Sequence, residues 1–167
     1  VIAPLADPDS PLTRALLESA AKKVVAVEKD SRCVEALGEL RAAYPDRLEI
    51  IEADALETDL RVLTAPPRRI VANLPYNIAT PLLLGWLGRI TDFDGLTLMF
   101  QKEVAGRLAA RPGAKEYGRL SVITQWLADV RHEFNVSKQA FTPPPKVASS
   151  VVSVTPRPAP LAQAEWR

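Results

Sequence analysis

Short apolar runs alternate with stretches of helical spacing along most of this chain, and that alternation constrains its fold more than any other feature. Val24-Val25-Ala26-Val27-Glu28 is almost wholly apolar, the pattern of a strand buried on both faces of a parallel sheet. Leu48 to Asp54, Arg69 to Asn73 and Leu96 to Phe100 are further strand candidates, and Val1-Ile2 reads as the tail of another strand. Between them, Ser10 as N-cap and Pro11 at the first helical position open a helix carrying Leu12, Ala15, Leu16 and Ala20. Asp30 or Ser31 caps a second helix with Val34, Leu37 and Leu40, which stops before Pro45. Residues 55–68 hold a weak helical piece broken at Pro66-Pro67. Further helices are expected over Thr80-Pro81 to Ile90 (apolar face Leu82, Leu83, Trp86, Leu87), Lys102 to Ala110, and Leu120 to Leu127. Such alternation demands crossover connections, hence a mostly parallel sheet with helices on both faces.

The end of the chain reads differently. Val130 to Val136 and Val147 to Val154 alternate with little helix between them, as an antiparallel hairpin at a sheet edge would. Arg111 to Lys115 is a loop, and Thr142-Pro143-Pro144-Pro145-Lys146 reads as rigid and extended. From Pro156 onward the chain reads as a loose tail or linker.

A chain of 167 residues can bury one core of its own. It has no apolar run near the roughly 20 residues of a membrane span, and V-I-A-P-L-A-D-P carries no basic leader. Its one cysteine, Cys33, has no partner for an internal disulfide and reads as a structural helix residue, so a cytoplasmic protein is expected. Charge is uneven. Residues 1–100 carry 15 acids against 11 bases, and residues 101–167 carry 5 against 10, so an anionic partner on the second half is open alongside ordinary solvated surface.

The run R-R-I-V-A-N-L-P-Y-N-I-A-T-P carries the strongest chemical signal. A strand ends in Asn73-Leu74-Pro75-Tyr76, just where an open α/β sheet places its chemistry. An aromatic amine is a poor nucleophile because its lone pair is delocalised into the ring. Two acceptors on its N–H groups, the Asn73 amide oxygen and the Leu74 or Pro75 carbonyl, favour a tetrahedral nitrogen and release that lone pair. Tyr76 can stack on the base. Glu28 and Asp54, each ending a strand, suit ribose hydroxyls and an adenine amine, though either alone is a weak signal.

N-L-P-Y-N-I-A-T-P resembles the catalytic motif of the ribosomal RNA small-subunit adenine N6-dimethyltransferases, the KsgA-like family, with the Erm resistance methylases as cousins. V-A-V-E-K-D (25–30), E-A-D-A-L (52–56), F-Q-K-E-V-A-G-R-L (100–108), Y-G-R-L-S-V (117–122) and F-T-P-P-P-K-V-A-S-S-V (141–151) resemble further family segments in the family's order. Ala148 stands where the family's last strand usually has an acid. The resemblance implies a Rossmann-like class I methyltransferase with a seven-stranded sheet and S-adenosylmethionine as cofactor. It implies catalytic residues Asn73, Leu74, Pro75 and Tyr76, and cofactor-binding residues Glu28, Lys29, Asp54, Ala55 and Asn73. Tyr76 and Phe141 would stack on the target adenine, with Gln101 near the site floor. Lys102, Arg107, Arg111, Lys115, Arg119 and Lys146 would meet RNA phosphates. Small-subunit ribosomal RNA, or the pre-30S particle, is the implied partner of a monomer that needs no metal and no membrane. Residues 1–155 would form the methyltransferase domain, lacking its first segment, and 156–167 would lead to a helical C-terminal domain.

The departure lies at the front. The family's first strand ends in an acid followed by G-x-G-x-G, whereas Ala3-Pro4-Leu5-Ala6-Asp7-Pro8-Asp9-Ser10-Pro11 has no glycine. Glycines there let backbone approach a cofactor, and prolines remove N–H donors. Two alternatives to the enzyme therefore stand: a non-catalytic RNA-binding or ribosome-assembly protein, and an amino-methylase acting on DNA or on protein glutamine. Sites of the latter more often read D-P-P-Y or N-P-P-Y.

Overall fold

The computed structural model describes residues 1–4 and 11–161. The expected Ser10 cap and most of the glycine-free segment 3–11 lie outside the described residues. The chain divides into two compact units, Val1–Asn73 and Leu74–Arg167.

The first unit holds four strands in the order β3-β2-β1-β4. These are β1 (Ile2–Pro4), β2 (Val24–Glu28), β3 (Leu48–Glu52) and β4 (Arg69–Asn73). β1 pairs in parallel with β2 (Ala3 opposite Ala26) and with β4 (Ile2 opposite Ile70), and β2 pairs in parallel with β3 from Val24↔Leu48 to Glu28↔Glu52. All five residues of β2 are buried, as its unbroken apolar run requires. Three helices accompany these strands: α1 (Pro11–Glu18), α2 (Ser31–Ala36) and α3 (Gly38–Ala43). Ala3, Leu17, Val24, Ala26, Leu37, Leu40 and Leu48 form the core.

Two helix expectations needed correction here. α1 buries Thr13 and Leu17, with Leu12 and Leu16 only half-buried and Ala15 exposed. The single helix expected after Asp30 is two helices meeting at Leu37, whose fully buried side chain joins the core. Asp30 is the cap. Its side chain accepts from the Arg32 N–H at 3.0 Å and pairs with the Arg32 guanidinium. Those bonds hold its carboxyl at about 2, below the usual 3.8. A depressed carboxyl contributes stability above its unfolded value and loses it as pH falls through the folded one. Asp30→Asn is therefore expected to lower the urea midpoint near pH 5, with the gap from wild type closing between about pH 4 and pH 2.

The second unit holds β5 (Gly95–Gln101), β6 (Ala128–Val136) and β7 (Ser149–Pro156) in the order β5-β7-β6, both pairs antiparallel. The expected hairpin is thus present, with a register shift between His132 and Phe134. The seven strands thus comprise a parallel set in the first unit and an antiparallel set in the second. The remaining helices are α4 (Tyr76–Leu87), α5 (Lys102–Ala109) and α6 (Arg119–Leu127). α4 buries Ala79, Leu82, Leu83, Trp86 and Leu87, and each large side chain so buried contributes roughly 1.5–3 kcal/mol.

α4 begins at Tyr76, four residues before the expected start. Pro81 lies inside the helix rather than at its first position. The proline bends of residues 141–147 include a cis Thr142–Pro143 bond and are not the extended run expected. Residues 157–161 are not loose. The Arg157 and Leu161 N–H groups donate to the Leu127 and Trp126 carbonyls at 3.0 and 2.9 Å, and Arg157 pairs with Asp129. No helix among the described residues is long and apolar enough to cross a membrane.

Candidate active site

The strand order of the first unit changes direction between β1 and β4, and ligands of open α/β sheets bind beyond the carboxyl ends of strands at such a point. Asn73 ends β4 there. Its side chain is exposed and makes no hydrogen bond among the described residues.

Glu28 is the last residue of β2, and Asp54 lies two residues past the end of β3. Glu28 is 9% exposed. Its Oε1 accepts from the Lys29 and Asp30 N–H groups at 2.7 and 2.8 Å, which fixes the carboxylate and leaves Oε2 to accept from another group. The Ala53 N–H donates to the Glu28 carbonyl at 2.9 Å and ties the two strand ends together. Asp54 Oδ1 accepts from the Leu56 N–H at 2.9 Å, and Oδ2 from Lys29 Nζ at 2.8 Å. The lysine bond, then the backbone bond, holds the Asp54 carboxyl below its ordinary value, and the same lysine bond raises Lys29. Asp54 is thus an ionised acceptor whose two oxygens each already carry one donor. Ala55 beside it is buried. The Lys29–Asp54 bridge could not be read from the sequence, because 25 positions separate its members.

In the second unit the tetrapeptide divides its groups clearly. Leu74 is buried, Pro75 exposed and Tyr76 half-buried. The Pro75 carbonyl accepts from the Ile78 and Ala79 N–H groups at 3.1 and 3.0 Å and so belongs to the first turn of α4. No hydrogen bond among the described residues reaches the Leu74 carbonyl. Of the two backbone acceptors open in the sequence, the structure commits Pro75 to the helix and leaves Leu74. The Tyr76 hydroxyl lies 2.6 Å from Ser149 Oγ, the first residue of β7. Gln101, half-buried at the end of β5, pairs in register with Ser149, and the Lys102 N–H donates to the Ala148 carbonyl at 2.9 Å. The ends of β5 and β7 and the start of α4 therefore meet at Tyr76. Phe141 is half-buried, just after a short 3₁₀ turn.

Lys102, Arg107, Arg111, Lys115, Arg119 and Lys146 are all exposed. Arg107 is paired with Glu103 one turn earlier, which sets it apart from the other five. Sequence reading missed what steadies this surface. Buried Ser121 donates to the Arg107 carbonyl and accepts from the Gly118 N–H at 3.1 Å. Gln125 Nε2 donates to the Leu108 and Ala110 carbonyls, both at 2.8 Å. α6 thus ties down both ends of the loop that bears Arg111 and Lys115, and its own first residue is Arg119.

This strand order, with an acidic residue ending β2 and Asn-Leu-Pro-Tyr beginning at the last residue of β4, is that of a class I methyltransferase fold. The model of the ribosomal RNA adenine dimethylases matches residues 10–167. A ribosomal RNA small subunit methyltransferase A from Rhodospirillum rubrum is 61% identical over 153 residues, covering 92% of this chain and 53% of the relative. Its counterpart from Paramagnetospirillum magneticum is 58% identical over 155 residues, covering 93% and 55%. Among solved structures, a dimethyladenosine transferase from Plasmodium falciparum superposes with a TM-score of 0.81 at 32% identity, covering 93% of this chain and 55% of its own. The 23S rRNA methyltransferase ErmE gives 0.79 at 26% identity, covering 98% and 64%. The chain belongs to the ribosomal RNA adenine dimethylase family, and it spans about half the length of the curated relatives it matches.

Proposed function

We propose that this chain is the catalytic domain of an enzyme that transfers methyl groups from S-adenosylmethionine to N6 of adenosines in small-subunit ribosomal RNA. The observation that carries this reading is the split within Asn73-Leu74-Pro75-Tyr76. The exposed Asn73 amide is followed in the chain by a Leu74 carbonyl that accepts from no described residue, and then by a ring anchored at its hydroxyl. The relatives at 61% and 58% identity support it over DNA or protein-glutamine methylation.

The residues on the adenosine side fit the cofactor. Glu28 Oε2 would accept from the ribose hydroxyls and Asp54, bonded to Lys29, would accept from the adenine amine beside Ala55. S-adenosylmethionine supplies the methyl group. Asn73 Oδ1 and the Leu74 carbonyl accept from the two N–H groups of the target amine and pull its lone pair out of conjugation. Tyr76 and Phe141 hold the extruded base by stacking, which offsets the few kcal/mol that unstacking costs. No strong base is needed before attack, because the proton leaves readily once the nitrogen is alkylated. Lys102, Arg111, Lys115, Arg119 and Lys146 meet phosphates, with Arg107 available once it releases Glu103. The protein works in the cytoplasm as a monomer on the pre-30S particle, without a metal. Residues 1–155 form the methyltransferase domain.

The glycine-free segment 3–11 is the one feature that favours a second reading, an RNA-binding assembly protein without catalysis. Calorimetric titration with S-adenosylmethionine separates the two. Saturable binding with methyl transfer to small-subunit RNA is expected, and no detectable binding would overturn the enzyme. Within the cofactor side, Glu28→Gln keeps one acceptor but gives up the charge that two backbone N–H groups hold in place. Affinity for S-adenosylmethionine is expected to fall about tenfold, read by the same titration.

A further inference from the structure

We infer that Ser149 is a positioning residue, setting the orientation of the Tyr76 ring through the hydroxyl–hydroxyl bond between them. The inference rests on the methyltransferase reading above and adds a residue to it.

Ser149 is fully buried at the start of β7, where it pairs with Gln101 of β5 and Val136 of β6. A hydroxyl at such a place is costly unless it is bonded, and its partner is the Tyr76 hydroxyl at 2.6 Å. Tyr76 is the first residue of α4, so its backbone is fixed by the helix while its ring turns about two side-chain bonds. Fixing the oxygen at the far end of the ring sets its swing about the first bond, and a phenolic hydroxyl's preference for bonding in the plane of its ring biases the turn about the second. Stacking on a base depends on the ring being held in one plane. The anchor is also well placed to join the two halves of a stacking site. Ser149 lies eight residues after Phe141 and opens the strand into which that segment leads.

The neighbouring serine supplies an internal control. Ser150 is equally buried, but its hydroxyl donates at 2.8 Å to Asn135 Oδ1 of β6, a tie within the sheet that does not reach Tyr76. A role in sheet stability alone would make the two serines equivalent. A positioning role makes them differ.

The test uses the full chain, labelled S-adenosylmethionine and unmethylated small ribosomal subunits. Ser149→Ala is expected to lower kcat about tenfold with cofactor affinity unchanged, and to add nothing in a Tyr76→Phe background. Ser150→Ala is expected to leave kcat as in wild type, with thermal unfolding followed in parallel for every variant. Wild-type kcat in Ser149→Ala, additive losses with Tyr76→Phe, or equal losses in Ser149→Ala and Ser150→Ala would each overturn the inference while the enzyme reading stands. A wild-type chain that transfers no methyl group overturns the enzyme reading, and the positioning role with it.

Discussion

Asn73→Ala is expected to lower methyl transfer about 10²–10³-fold, the usual cost of losing one preorganised group aimed at charge that develops in the transition state. The unfolding free energy is expected to stay within about 0.5 kcal/mol of wild type, since substitutions of exposed side chains without structural bonds rarely do more. The asymmetry follows from the site. The Asn73 amide is exposed and holds nothing else in place among the described residues, so its removal leaves no buried group unsatisfied. What is lost is one of the two acceptors that draw the amine lone pair out of the ring. Single-turnover transfer to small-subunit RNA, beside urea unfolding, checks both halves. Near-wild-type turnover would refute the role assigned to Asn73.

Tyr76→Ala is expected to produce the second largest loss, and of a different kind. Stacking of one base on one aromatic side chain is worth roughly 1–3 kcal/mol, or about 5- to 150-fold. The loss should appear in RNA engagement and base extrusion and leave S-adenosylmethionine affinity nearly unchanged. A fluorescent adenine analogue at the target position reports extrusion directly. Parallel losses in cofactor binding and extrusion would count against stacking. The variant also strands the buried Ser149 hydroxyl, so a drop in stability of about 1–3 kcal/mol is expected, which Asn73→Ala lacks.

How legible these features were in the sequence depended on how far apart the partners lie. β2 was legible because a strand buried along its whole length has little choice but to be mostly apolar, and β4 because Arg69 and Asn73, both exposed, bracket its apolar centre. The Asn-Leu-Pro-Tyr signal is contiguous, and so was visible. The start of α4 was missed because Pro81 looked like a first helical residue. Inside the helix it removes only the donor that would meet the Asn77 carbonyl, and the five buried side chains of α4 outweigh that loss. The break at Leu37 was hidden because an apolar residue at helical spacing looks the same on either side of a bend. The Tyr76–Ser149 bond joins residues 73 positions apart, and one serine among small strand residues carries no periodic signal. The pairing of Lys29 with Asp54 and the ties made by Ser121 and Gln125 were invisible for the same reason.

The allocation of the two carbonyls at Leu74 and Pro75 bears on which genetic changes can disable this protein. The Leu74 contribution is made by main chain, which no codon change deletes, while its side chain answers only to the hydrophobic interior it fills. Drift among apolar residues at position 74 should therefore be silent chemically, and a polar residue there should act through folding. Asn73 has no such shelter, since the contribution proposed for it sits in its side-chain amide. A saturation library selected for methylation should consequently return two adjacent positions with opposite tolerance. On the proposed reading, half of the grip on the amine would come from the fold itself, and only the other half would need guarding by selection on a single residue.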